Sequence, residues 1–504
     1  MRACVAGGLA LAAAAMMPLL AEGAVGGAEA GEWVRWHFLG SARIDADTNG
    51  VHARAVFDQP GTKVLVERAI AGLARSAGGD AAGAALVRAL LEESLRVESF
   101  GALRGEPGTP GPEWLLALRL GAGRAQAWVE QWEAFGRATG FAAARSAVKE
   151  DWFIGGLRRA EPADLEPWQA RVAAARAAGG EPAWLEIHAD LARLAGTFGW
   201  PSFIAWPRAQ VAVTGRGANV RTTAEFALAA PLKLRLADWD VPTNTVREPL
   251  LSFTALQGTE PWFSTQAGFQ ELAWPAPNQV FAWAQSLAPY ATHFAWRLPE
   301  AAERIPAAQE KLKPVLCALA PWLNLGELEY LAEAKRLNWR GLPLVVPFLT
   351  PAADSGFALA GLFPLANPTD PGPPELYAQL WGRTNLVYYH WELTQPRLGD
   401  WEALDMVYTM IGGYMPPASN SVARAWLRDT NVTSHLGNCV TEVTVASPTE
   451  LRAVRNSALG LTAFELFRVA LWVEGEKFPR RTPPQPVQFS RPRGARTNAP
   501  AARP

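Results

Sequence analysis

Cysteine is scarce: the chain has three in 504 residues, and only Cys317 and Cys439 remain if a cleaved leader removes Cys4. One internal disulfide is therefore the most such a chain can form. Cys317 sits in the apolar run 315–319, and Cys439 alternates with Thr441, Val443 and Val445 on the inward face of an expected strand. Those positions suit two buried thiols, with a bridge as the alternative. Excess charge of one sign is missing too, since the formal net charge is -1. The stretch from Glu476 onward holds Lys477, Arg480, Arg481, Arg491, Arg493, Arg496 and Arg503 against that one acid, so the rest of the chain is acidic. An acidic body excludes nucleic acid as a partner, because phosphate binding needs a basic groove. Beyond the first two dozen residues no apolar run is long enough to cross a bilayer. Catalytic and cofactor signatures are absent as well: there is no G-x-S-x-G elbow, H-E-x-x-H, P-loop, dinucleotide fingerprint or C-x-x-C. No cofactor is expected on these grounds.

What the chain does have is apolar bulk. With 49% hydrophobic and 19% charged residues, it can bury one large core or two to three smaller ones. Arg2, the Ala-rich run 3–21 with Pro18, and the A-x-A arrangement of Ala28, Glu29 and Ala30 resemble a secretory signal peptide. Cleavage fits after Ala30 or nearer Ala21 or Ala24, and an uncleaved anchor is the alternative. The expected organisation is a leader over 1–30, an N-terminal α+β region over 31–230, a C-terminal α+β region over 231–476, and a Pro/Arg-rich disordered tail over 477–504.

Periodicity predicts mostly antiparallel sheets with amphipathic helices packed on them. Helices are expected after Pro60 and over 81–95, then a hairpin from 99–103 and 114–120. A helix carrying Trp128, Trp132 and Phe135 at i, i+4, i+7 follows, and then a strand pair over 144–156. A strand to His188 and a helix from Asp190 precede the clearest hairpin, 209–213 with 220–228, turned by Gly215, Arg216 and Gly217. Strands are expected at 249–256 and 279–283, and a helix over 299–312. The stretch 341–401 then reads as a hairpin (342–350 with 357–365), a short helix over 375–380 and a strand over 384–393. Val387, Tyr389, Trp391 and Leu393 share one face of that strand, and Leu386, Tyr388, His390 and Glu392 the other. Further on, Asp400 is placed to cap a helix over 401–411, and Asn420 another to Leu427. Cys439 to Ala446 should be a strand, and Ser447, Pro448 and Glu450 form a capping box for a helix start. Thr462 and Glu465 repeat that device before a helix to Val473. The order hairpin, helix, strand occurs at 99–156 and at 342–393, which raises an internal duplication of that unit.

Three constellations carry candidate chemistry. Asp45, Asp47, Asn49 and Gly50 open like a calcium loop, but Val56 stands where a bidentate Glu should close it, so a polar turn fits better. His390 and Glu392, with Tyr388, share a strand face, where the carboxylate can orient the imidazole as a general base. Without a partner nucleophile the same residues serve equally as a solvated outer face. Glu186, His188 and Asp190 repeat the pattern more weakly. The 22 Trp include Trp128, Trp132 and Trp391 at core positions; the loop that crowds Trp262, Phe263, Phe269 and Trp274 together is the one place suited to stacking on sugar rings.

The segments VREPLLSFTAL (Val246 to Leu256), GLFPL (Gly361 to Leu365) and GRTNLVYYHWEL (Gly382 to Leu393), with the leader, resemble a family of uncharacterised exported bacterial proteins. The resemblance implies export and an α+β fold, and it carries no activity or site residue. The leading expectation is an exported, non-catalytic protein that binds a ligand or an envelope component. A secreted hydrolase using His390 and Glu392 is the alternative, and a carbohydrate-binding module around Trp262 and Trp274 the third.

Overall fold

In the computed structural model, the described residues run from Gly31 to Pro479. Those at 79, 106–112, 139–143, 158–161, 178–182, 199–204, 287–290, 320–325, 343–344, 365–369, 412–420 and 476–477 lie outside the description. The expected leader, Asn420 and all but the start of the tail therefore fall outside it. Among the described residues every strand pairing is antiparallel, and 18 strands form one sheet. The strands are β1 (Gly31–Phe38), β2 (Ser99–Gly105), β3 (Glu113–Arg119), β4 (Ala144–Lys149), β5 (Trp152–Leu157), β6 (Leu185–Asp190), β7 (Arg208–Arg216), β8 (Asn219–Ala227) and β9 (Leu250–Gln257). They continue with β10 (Gln279–Gln285), β11 (Thr292–Arg297), β12 (Glu327–Leu331), β13 (Arg336–Arg340), β14 (Phe348–Pro351), β15 (Phe357–Gly361), β16 (Leu386–Leu393), β17 (Asn438–Ser447) and β18 (Glu450–Ser457).

The pairings show a duplication. In the first half the spatial order is β4, β5, β3, β2, β1, β6, β7, β8. In the second it is β14, β15, β11, β10, β9, β16, β17, β18, with the β12–β13 hairpin added beyond β14. Each half thus starts on its central strand, adds a hairpin on one side, crosses by helix to a second pair beyond it, and returns to fill the other side. The halves meet where β8 pairs with β18, Ala224 opposite Ala453, so an approximate two-fold axis normal to the sheet relates their topologies. The repeated unit is larger than hairpin, helix and strand. The segments 99–156 and 342–393 do not occupy equivalent places, because β2–β3 corresponds to β10–β11.

Helices cover one face of this sheet. Over the first half lie α1 (Pro60–Gly78), α2 (Ala81–Arg96) and α3 (Ala122–Ala138), with α2 capped by Asp80, whose carboxylate accepts from Gly83 N at 2.7 Å. Over the second half lie α4 (Ala267–Leu272), α5 (Ala301–Ala307) and α6 (Gln309–Leu319). Between them sit α7 (Thr394–Ile411), α8 (Val422–Arg428) and α9 (Ala463–Glu474). The main core runs through both regions: Leu65, Ile70 and Leu73 of α1 share it with Trp426 of α8 and Leu466, Phe467 and Ala470 of α9. The other face is covered by Leu165 over the first half and by Trp239, Val246, Leu376 and Tyr377 over the second.

Several local expectations differ from the structure. The capping box at Ser447 is a hairpin turn: Ser447 pairs with Glu450, and β18 runs between β17 and β8. The turn carbonyls of Pro448 and Thr449 accept from Leu232 N and Leu228 N, at 2.7 and 2.8 Å. The chain after β8 thus claims acceptors that a helix would need for itself. Asp400 does not start a helix, because α7 begins at Thr394 with Pro396 in its first turn; Asp400 instead binds Arg397 at 2.8 Å. Ser421, rather than Asn420, caps α8. Thr462 and Glu465 do form a reciprocal capping box at α9. Phe478 belongs to the body and not to a tail, buried against Trp472 at a ring distance of 4.8 Å.

Candidate functional site

His390 and Glu392 are not on a solvated face. Their strand face looks toward α7 and α9, and Glu392 is 2% exposed. Thr254 Oγ1 lies 2.8 Å from His390 Nδ1, and His390 Nε2 lies 3.3 Å from Glu392 Oε2. The other carboxylate oxygen accepts from Ala463 N at 2.6 Å. Ala463 is the first residue of α9, where unpaired N–H groups and the helix dipole favour a negative charge. Tyr388 stacks beside the imidazole with ring centroids 6.3 Å apart, and burial pushes its phenol up to about 12. Cys439 faces Glu392 across the β16–β17 pair. Burial, and then the neighbouring Glu392 carboxylate, push its thiol up to about 12, so it is protonated at neutral pH and is no nucleophile. The arrangement clamps a helix to the sheet. Cys317 and Cys439 are both free thiols.

The other sequence candidates are tied up in the same way. Asp47 Oδ1 accepts from Asn49 N and Nδ2, Asp47 Oδ2 accepts from Trp184 Nε1 at 2.7 Å, and Asn49 Oδ1 accepts from Gly217 N. These bonds lock the turn to the β7–β8 hairpin, with Gly50 at φ 68° supplying the left-handed residue. Glu186 Oε1 lies 2.9 Å from His188 Nε2, and Asp190 accepts from Arg193 N. They sit on the face opposite His390, beside a polar pocket of about 490 Å³ where Arg35, Arg193 and Arg208 mix with Glu32, Glu225 and Glu450. Among the described residues no cluster of three or more His, Cys, Asp or Glu is placed to hold a metal ion.

The feature that does converge is apolar. A cavity of about 720 Å³ lies on the helical face of the second half. Its floor is β11, β14 and β15, through Trp296, Leu349 and Ala360, and its walls come from α4, α6 and the 260–263 helix. Its volume is within the range of roughly 300–1,000 Å³ that holds small-molecule ligands. Trp262 and Phe294, at 60% and 43% exposure, mark the mouth. The sequence pointed to this loop, but as a sugar platform. Trp274 is buried at 9% exposure, and Trp262, Phe263 and Phe269 meet edge to face, with centroids 4.6 and 4.8 Å apart. These rings form a wall and a rim, with no flat shared face. The remaining lining, scattered over strands between 294 and 362, leaves no linear signal.

The first half supplies an internal comparison. There the helix after the third strand is α3, whose Trp128, Trp132 and Phe135 fill the space above the sheet at 5%, 0% and 1% exposure. Trp132 stacks on Trp114 at 5.4 Å and lies against Gly155, where a Cβ would come within 2.7 Å of the indole. In the second half the corresponding helices present Ile305, Ala308, Leu312 and Val315. The second half thus offers aliphatic side chains where the first half has three aromatic rings.

No family model matches the chain, and no curated protein matches it. Among solved structures, one titled as crystal form I of TP0453 aligns at 8% identity with a TM-score of 0.22. The alignment covers 46% of this chain and 98% of that one, and a score this low carries no assignment of fold or function.

Proposed function

We propose that this protein is a non-catalytic binder of an apolar ligand, which places a hydrocarbon chain in the cavity between α4, α6 and β11, β14 and β15. The observation that carries the reading is the hydrocarbon and aromatic lining of that 720 Å³ space, open where the equivalent space of the first half is filled. An apolar cavity holds water poorly because water finds no hydrogen-bond partners there. Each methylene buried in it contributes about 0.8 kcal/mol, so ten give roughly 8 kcal/mol before the costs of association are subtracted. The leader-like run 1–30 supports placing this binder outside the cytoplasm. No helix among the described residues is long and apolar enough to cross a membrane.

The test is a thermal-shift screen of the full chain with monoacylglycerols, soluble glycans and divalent metals. A ligand that binds only the folded state raises the melting temperature by mass action. Monoacylglycerol should raise it by several degrees while glycans and metals leave it unchanged. A shift with glycans alone would favour the carbohydrate-binding reading instead.

A further inference from the structure

The chemistry of the lining says which end group the ligand carries. Among the described lining residues, Glu271 is the one charged side chain and Gln266 the one amide. Glu271 is exposed and so belongs to the rim with Trp262. Lys311 and Lys313 flank Leu312 on α6, yet neither lines the cavity, and Arg304, also outside the lining, is held by Glu300 at 3.2 Å and by the carbonyl of Ala273 at 3.4 Å. An anionic head would therefore meet a carboxylate and no lining cation, a like-charge contact at the rim.

Resting on the reading of the cavity as a hydrocarbon site, we infer that it selects an uncharged chain amphiphile, such as a monoacylglycerol, over a carboxylate. Glu271 discriminates against anions at the rim.

The experiment displaces a neutral fluorescent probe, N-phenyl-1-naphthylamine, from the full chain at pH 8 with 1-monolauroylglycerol or laurate, both below their micelle concentrations. The ester should displace it at about one-tenth the concentration of laurate, the effect of about 1.4 kcal/mol. Glu271→Gln should bring laurate closer to the ester by several-fold. Laurate displacing the probe as well as the ester does, with Glu271→Gln silent, overturns the end-group inference while the cavity reading stands. A probe that does not bind at all overturns the cavity reading and this inference together.

Discussion

Glu392 Oε1 accepts a 2.6 Å hydrogen bond from the backbone N–H of Ala463, joining the end of β16 to the first residue of α9. The same carboxylate holds His390 at 3.3 Å. An imidazole and a carboxylate that sequence alone presents as a possible acid–base pair are therefore committed to helix anchoring.

Glu392→Ala should destabilise the fold by about 2–4 kcal/mol, because it strands a buried N–H and a partly buried imidazole together. Glu392→Gln keeps an acceptor and should cost less than half of that. The midpoint of urea unfolding measures both; equal, negligible effects would mean that the clamp does not hold α9.

His293 gives the fold a predicted acid sensitivity. The ring is fully buried, both its nitrogens lack partners, and burial lowers its pKa from 6.5 to about 4. Between those values the unfolded chain binds a proton that the folded chain refuses, so stability rises with pH across that window. It should be complete above about pH 6.5 and fall on acidification toward pH 4, by about 3 kcal/mol from this group. His293→Leu should flatten that part of a stability-against-pH curve. An unchanged slope in the variant would assign the acid lability to other groups.

Trp132→Ala should cost about 3–5 kcal/mol, the usual range for deleting a buried aromatic ring. The same measurement on Trp262→Ala, at the mouth of the cavity, should give less than about 1 kcal/mol. Chemical unfolding of the two variants distinguishes a filled half from an open one. Equal losses would contradict the contrast between the halves.

The two regions should not fold apart. Trp426 Nε1 donates to Thr62 Oγ1 at 2.7 Å across the shared core, and a chain covering only 31–230 would expose that core and leave β8 an unpaired edge. Such a fragment should lack a cooperative thermal transition and aggregate. A sharp transition with native-like near-ultraviolet circular dichroism would show instead that the first half is autonomous.

Local order was largely readable in the sequence because its signals are local. The i, i+4, i+7 aromatics at Trp128, Trp132 and Phe135, the Thr462 to Glu465 box and the glycine turn between β7 and β8 each fix an element within a few residues. The misreadings have one physical cause, competition from distant partners. Ser447 to Glu450 is chemically a good helix start, but Leu228 and Leu232 claim its carbonyls. Tyr388, His390 and Glu392 alternate as a solvated face would, yet a helix 70 residues downstream covers them. The cavity was legible only at its rim, where Trp262, Phe263, Phe269 and Trp274 lie close in sequence. Its floor comes from strands brought together by the duplicated topology, which no short window records.

The most direct test of the account is a titration of N-phenyl-1-naphthylamine against the unaltered chain and against Ala360→Trp, which sets an indole on the cavity floor. The account predicts saturable, roughly one-to-one fluorescence enhancement for the unaltered chain, and its loss in a variant that unfolds at the same or a higher temperature. Enhancement of equal strength in both proteins would contradict it.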